Sequence, residues 1–314
     1  MADHFAAQLD DLDLKLIREL EINALQTNVD LAKKLQINRN TVKTKFQKLL
    51  DNRVIRVLPV EDPLARGYRT RVHMGLNTLP SEVDAVADIL AGYRNIHHVA
   101  IFTGQYDLMA WAVLEKPEEL PGFVTNELNH IAGITSVETM LNLEIVKNSY
   151  SYLSDHYYNL RSQPPQPALD SLDLKLIQEL RNDALQTLAE LAPKLGTSPS
   201  TIRRKLKRLL DEKIIRVVAV SDPAALGYNT RATIGLKAQP HRVDAVAQEL
   251  ASFRNVQHIL MNTGKFDLIV STDFRGPKEL SRFVREDLGN IQGLVSHETM
   301  VCLKTIKDDS ALMT

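Results

Sequence analysis

The stretch LAPKLGTSPSTIRRKLKRLL, Leu191–Leu210, decides how this chain reads. Ser198 suits an N-cap, and Pro199 fits the first helical position, where its missing N–H costs nothing. A helix should therefore begin there, with Ile202, Leu206, Leu209 and Leu210 along one apolar stripe. Its other side carries Arg203, Arg204, Lys205, Lys207 and Arg208 with no acid among them. The formal net charge of the whole chain is −1, so affinity for phosphate has to come from such local clusters. Upstream, a short helix is expected at about Ala189 to Leu195, and the spacing of Leu172, Leu176, Ile177 and Leu180 predicts another. Three short helices with a tight turn before the third form a helix-turn-helix, whose third helix enters the major groove.

The pattern occurs twice. LDLKLI at Leu12 recurs at Leu172, ALQT at Ala24 recurs at Ala184, VDAVA at Val83 recurs at Val243, and ETM at Glu138 recurs at Glu298, all at one offset. Each unit is long enough to be a full protomer, so a duplicated homodimer explains the repeat better than a solenoid does. In the first unit Leu12, Leu16, Ile17 and Leu20 make helix one, Val29 to Leu35 helix two, and Asn38 caps helix three, whose stripe is Val42, Phe46, Leu49 and Leu50. The candidate DNA contacts are Asn38, Arg39, Asn40, Thr41, Lys43, Thr44, Lys45 and Lys48 in unit one. In unit two they are Ser198, Ser200, Thr201, Arg203, Arg204, Lys205, Lys207 and Arg208. A basic helix face is usually only solvated, but the same acid-free face on the same helix of two motifs favours phosphate contact. Arg203 and Arg204 can grip guanine in a bidentate way that Lys43 and Thr44 do not reproduce, so the two heads need not read the same half-site.

After each head, VIRVLPV and IIRVVAV are β-rich and lead through EDPLARGY and SDPAALGY into a second domain. Its elements run strand, helix, strand, strand, helix, strand, which predicts a ferredoxin-like βαββαβ body with both helices on one face of four antiparallel strands. The fold class is thus α+β, with domain boundaries at 8–56, 57–148, 169–216 and 217–310 and a linker at 149–168. Val72, Met74 and Leu76, with Leu108, Ala110 and Ala112, are expected to bury the uncovered sheet face against the sister sheet. Pro164, Pro165 and Pro167 make the linker extended, and Tyr150, Tyr152, Tyr157 and Tyr158 predict that its first half packs on something. TGQYD (Thr103–Asp107) and TGKFD (Thr263–Asp267) read as turns in which glycine takes a positive φ, with ligand contact as the sharper reading.

Composition narrows the class. With 44% hydrophobic and 25% charged residues, no apolar run approaches a membrane span, and the acidic start MADHFAAQLDDLD lacks the form of an export signal, so a cytoplasmic location is expected. A single cysteine, Cys302, excludes an internal disulfide framework and a Cys-rich zinc site. His97 and His98 should point to opposite sheet faces, and no nucleophile–base pair or phosphate-binding glycine loop stands out, so neither metal nor cofactor is expected.

Both units resemble the leucine-responsive regulator/AsnC family of transcription factors along nearly their full length. The resemblance rests on LDxxDxxLIxxL with Asp13 and Asp173, Ile55–Arg56 and Ile215–Arg216 after helix three, DPxxxGY, TGxxD and GxxSxET. It implies a winged-helix-like DNA-reading head and a ligand-sensing, dimerising body, with double-stranded DNA and a small effector, an amino acid foremost, as partners. By that resemblance the effector residues are Thr103, Gly104, Asp107, Glu138 and Thr139, with Thr263, Gly264, Asp267, Glu298 and Thr299. The chain departs from the family in fusing two units, which implies a covalent pseudo-dimer, open to further homo-oligomerisation. Trp111-Ala112-Val113 stands where unit two has Ser271-Thr272-Asp273, which points to a single surviving effector site. The rival is an enzyme, since sirohaem decarboxylases resemble the same fused unit. Their His-rich motif is absent from HHVAIFTGQYDLMAWAVL and QHILMNTGKFDLIVSTDF.

Overall fold

The computed structural model describes residues 9–61, 67–149, 151–154 and 169–309. The first head holds α1 (Asp11–Ile22), α2 (Asn28–Leu35) and α3 (Arg39–Asp51), followed by β1 (Ile55–Glu61). Its body holds β2 (Thr70–Thr78), α4 (Val83–Gly92), β3 (Ile96–Phe102), β4 (Leu108–Leu114), α5 (Glu119–Gly122) and the long β5 (Ile134–Asn148). The second unit repeats this as α6 (Ser171–Asn182), α7 (Leu188–Lys194), α8 (Pro199–Asp211) and β6 (Ile215–Ser221). Its body is β7 (Thr230–Ala238), α9 (Val243–Ala251), β8 (Val256–Asn262), β9 (Leu268–Phe274), α10 (Pro277–Arg282) and β10 (Leu294–Asp308).

The head helices start where side-chain oxygens can satisfy their first free N–H groups. Asp10 and Asp170 form capping boxes with Asp13 and Asp173, Asn38 accepts from the Thr41 N–H, and Ser198 accepts from that of Thr201. The first head's core is Leu16, Ile17, Leu20, Leu31, Val42 and Leu49, and the sister unit completes it with Val217 and Ala219. The strand after each third helix does not form a wing within its own head. Instead β1 and β6 pair antiparallel with each other, with Leu58 opposite Val218, and Ala24 N–H donates across to the Val217 carbonyl at 2.9 Å.

In the body each sheet has the ferredoxin-like order β3-β4-β2-β5, and the two sheets join into a closed eight-stranded barrel. Closure comes from the last strands. β5 pairs with its own β2 and then with β8 of the sister, while β10 pairs with β7 and then with β3. Lys147 on β5 donates to the Ala251 and Phe253 carbonyls at the end of α9, and Lys307 on β10 donates to those of Ala91 and Tyr93 at the end of α4. A cation there completes the free carbonyls and meets the negative end of the helix dipole.

The expected face assignment is reversed. Val72, Met74, Leu76, Leu108, Ala110 and Ala112 pack under Val86, Ala87, Leu90 and Phe123, on the helix-covered face. The residues one position along, Met109 on β4 and Ala100 and Phe102 on β3, meet Met140, Phe266, Ile269 and Met300 inside the barrel. Gly75 lies beneath the Tyr106 ring so closely that a Cβ would sit 2.6 Å from its carbons, and Gly235 lies likewise beneath Phe266.

Of the linker, Ser149 and Ser151–Ser154 are described and do pack on the molecule. The N–H groups of Tyr152, Leu153 and Ser154 all donate to the buried Glu21 carboxylate. Tyr150, Tyr157, Tyr158 and the prolines lie outside the described residues.

Candidate functional site

On α3 the exposed residues are Arg39, Asn40, Lys43, Thr44, Gln47, Lys48 and, at its end, Asp51, preceded by the exposed cap Asn38, with Thr41 half-buried. On α8 they are Pro199, Ser200, Arg203, Arg204, Lys207 and Asp211, behind Ser198, with Thr201 half-buried. Two shallow concavities run along α3, one bordered by Asn38, Arg39, Asn40 and Thr41 and the other by Lys43, Gln47, Lys48 and, toward the helix end, Asp51.

Three of the basic candidates do not belong to this open face. Lys45 donates to Asp10 at 2.7 Å and to Asp13 at 2.8 Å, and Lys205 donates to Asp170 at 2.6 Å and to Asp173 at 2.9 Å. Arg208 also pairs with the fully buried Asp173. Lysine hydrogen bonds hold the Asp10 and Asp170 carboxyls down at about 2. These cations lock helix three onto helix one. Lys207 pairs with Asp211 on the surface, which leaves Arg203 and Arg204 as the exposed unpaired cations of α8 among the described residues.

The effector candidates come together across the two units. Thr103 N–H donates to the Val301 carbonyl and Thr263 N–H to that of Leu141, so each TGxxD loop rests on the last strand of the other unit. Gly104, at φ +104, lies beside Thr299 and Met300, and Gly264, at φ +95, lies beside Thr139 and Met140. Asp107 and Asp267 are committed to the fold: each carboxylate accepts a strand-end N–H, from Thr78 and Ala238. The two sites differ in charge. Glu138 accepts the Tyr106 hydroxyl at 2.6 Å, whereas in the other unit, where Phe266 matches Tyr106, Glu298 pairs with Lys265 at 3.0 Å, which also donates to Gln105.

The other, head-side end of the barrel holds a cavity of about 690 Å³, roofed by Ser221–Ala224 after β6 and by Tyr152. Inside it the His98 ring stacks on Trp111 at 4.2 Å and His258 approaches the indole edge-on at 6.5 Å, while His73, outside the cavity lining, approaches the indole edge-on at 5.2 Å. Burial holds all three neutral, pushing His73 and His258 down to about 3 and His98 to about 4. A bulge between Ile96 and His98 breaks the alternation, so His97, expected on the opposite face, borders the same end of the barrel beside His73 and Trp111. Opposite, Arg231 donates to Asp273 at 3.0 Å and Tyr152 donates to the same carboxylate at 2.8 Å. The signal for this cavity was the contrast of Trp111 with Ser271 and of Val113 with Asp273; residue type alone could not place it away from the TGxxD loops. Among the described residues no group of three His, Cys, Asp or Glu could hold a metal ion, and no helix is long and apolar enough to cross a membrane.

Known proteins share this construction. The AsnC-type helix-turn-helix domain matches residues 9–50 and 169–210, and the Lrp/AsnC ligand binding domain matches 71–152 and 231–312. The HTH-type transcriptional regulator FL11 of Pyrococcus horikoshii is 32% identical over 145 residues, 46% of this chain and 95% of its own length. Its counterpart in Pyrococcus furiosus gives the same figures. Among solved structures, the siroheme decarboxylase NirDL superposes with a TM-score of 0.68 over 95% of this chain and 93% of its own, at 15% identity, a likeness of fold. With two AsnC-type heads and two Lrp/AsnC ligand-binding domains joined through one barrel, the chain belongs to the Lrp/AsnC family and carries two of its units in one polypeptide.

Proposed function

We propose that the chain is a sequence-specific DNA-binding transcriptional regulator that acts as a covalent pseudo-dimer and answers to a small metabolite, an amino acid foremost. The supporting observation is that α3 and α8 each present an open, acid-free leading face after the internal ion pairs are counted, with Arg203 and Arg204 exposed on α8. Such cations neutralise phosphate and release counterions, and the short polar groups at the leading end can reach base edges. The TGxxD loops and the strands they rest on supply the effector residues in this reading: Thr103 and Gly104 with Glu298 and Thr299, and Thr263 and Gly264 with Glu138 and Thr139, while Asp107 and Asp267 hold the loops in shape. An effector there spans both units, so it shifts DNA affinity to the extent that it favours one arrangement of them.

The test is a salt titration of binding to a genomic target found by footprinting. Replacing Arg203 and Arg204 together by Ala should weaken specific binding and lower the slope of log K against log salt by about 2, the counterion release of two phosphate contacts. Unchanged affinity and slope would remove the assignment of α8. In this reading the chain is not a catalyst, and sirohaem incubated with it should be recovered without loss of carboxylate; turnover would replace the regulator with the enzyme.

A further inference from the structure

We propose that the head-side end of the barrel binds one aromatic carboxylate per chain, with its ring against Trp111 and its acid toward Arg53 and Arg56. This site is separate from the TGxxD loops, at the other end of the barrel. Its volume, about 690 Å³, suits a small molecule.

The duplication argues for one ligand rather than two. Two-fold symmetry would line the cavity with identical walls, but the units have diverged on opposite sides of it. Unit one supplies Trp111 where unit two supplies Ser271, and Thr233 of unit two lines the cavity while its counterpart His73 does not. One wall is therefore flat, aromatic and uncharged, and the other is a row of hydroxyls beside the Arg231–Asp273 pair. A planar ring matches the first wall and a polar ring substituent the second.

One of two buried polar atoms bordering the cavity supports that substituent. Trp111 Nε1 and Ser271 Oγ have no hydrogen-bond partner, although buried groups of this kind are paired in the great majority of cases. A hydroxyl on a ring lying against the indole face can exchange a hydrogen bond with the Ser271 hydroxyl across the cavity.

The charge of the ligand follows from which cations are spoken for. Arg231 is held by Asp273, and Lys304 pairs with Asp84 at 3.0 Å. Arg53 and Arg56, exposed at the cavity mouth, have no ion-pair partner among the described residues. Of the acids at the mouth, Asp222 accepts the Ala224 N–H, and Asp308 lies 4.0 Å from His98 Nδ1. A carboxylate is thus drawn to the two arginines. Arg53 lies in the turn after α3 and Arg56 on β1, so an occupied site touches the segment that leads out of the DNA-reading helix.

Trp111 is the only tryptophan of the chain, so its fluorescence reports this cavity without a label. The full chain, without DNA, is titrated with 4-hydroxyphenylacetate, with phenylacetate, 4-hydroxybenzyl alcohol and cyclohexylacetate as comparisons, and the stoichiometry is read by calorimetry. The expected result is a saturable fluorescence change at one ligand per chain. The uncharged alcohol and the non-aromatic acid should each bind about tenfold more weakly, since the first forgoes a charge-assisted hydrogen bond and the second the stacking on the indole. Replacing Arg53 and Arg56 by Ala, both on the surface, should lower the affinity of the acid about tenfold and leave that of the alcohol unchanged. Ser271→Ala should erase the advantage of 4-hydroxyphenylacetate over phenylacetate. No saturable binding at millimolar ligand, two ligands per chain, or an arginine variant that binds the acid as well as the parent would each overturn the site. Because no DNA is present, failure here leaves the regulator reading standing, and loss of DNA binding leaves this site standing.

Discussion

Glu21 and Arg181 occupy the same position in the first helix of the two heads, yet they hold their heads to the molecule with opposite charge. Glu21 is buried and accepts three N–H groups of the segment after β5 and the Ser221 hydroxyl. Arg181 pairs with the buried Glu61, the residue that matches Ser221 in the other unit. One head is tied by dipoles and the other by an ion pair. A homodimer could not do this, because one sequence would have to be both partners. The two halves of the joined chain are therefore no longer interchangeable at the contact that ties each head down.

The largest effect should come from making the two heads alike. Arg181→Glu sets a carboxylate against Glu61 and should cost about 3–5 kcal/mol, the scale for breaking a buried ion pair, read as a lower urea midpoint at neutral pH. Adding Glu61→Arg should recover part of it, since the pair is then restored in reverse. Glu21→Gln should cost less, about 1–3 kcal/mol, because its donors keep an oxygen but lose the charge.

The next effect is in pH. His73 binds a proton at about 3 in the folded chain but at its ordinary 6.5 when unfolded, so unfolding takes up a proton between those values. Its contribution is intact above pH 6.5 and is lost as pH falls toward 3. Between pH 7.5 and 5 one such histidine should cost about 2 kcal/mol. His73→Thr, which copies the residue of unit two, should flatten the fall in urea midpoint by about that amount, whatever it does to stability at pH 7.5. Glu21, raised by burial, works in the opposite direction at lower pH, and Glu21→Gln isolates that part.

A smaller change should follow from equalising the reading helices. Lys43→Arg with Thr44→Arg gives α3 the pair that α8 carries, and tighter binding of about tenfold to a target built from two copies of the α8 half-site is expected in a gel-shift titration. Smallest is Tyr106→Phe, which copies Phe266 and leaves Glu138 without its hydroxyl. About 1 kcal/mol of stability should go, and Gln105→Lys, copying Lys265, should return some of it.

Much of this was legible in the sequence, because the signals were local. Caps at Asn38 and Ser198, the apolar stripes and the repeat all act within a few residues or are read by direct comparison. What escaped depends on distant pairing. Ala110 and Met109 are both apolar, so alternation along β4 could not say which face took the helices. Lys45, Lys205 and Arg208 looked free because their acids lie more than thirty residues away, on helix one. The joining of the sheets was hidden for the same reason: β5 and β10 are each 15 residues long and uniform enough to continue into a second sheet without a break in pattern.

That joining bears on how such a chain can be cut. Half of it, ending after β5, would carry an open sheet with β3 and the far part of β5 bare, and the Lys147 ammonium would have no helix end to reach. Bare strands of this kind seek other chains. A gene truncated between the repeats would therefore yield self-pairing halves rather than a working monomer.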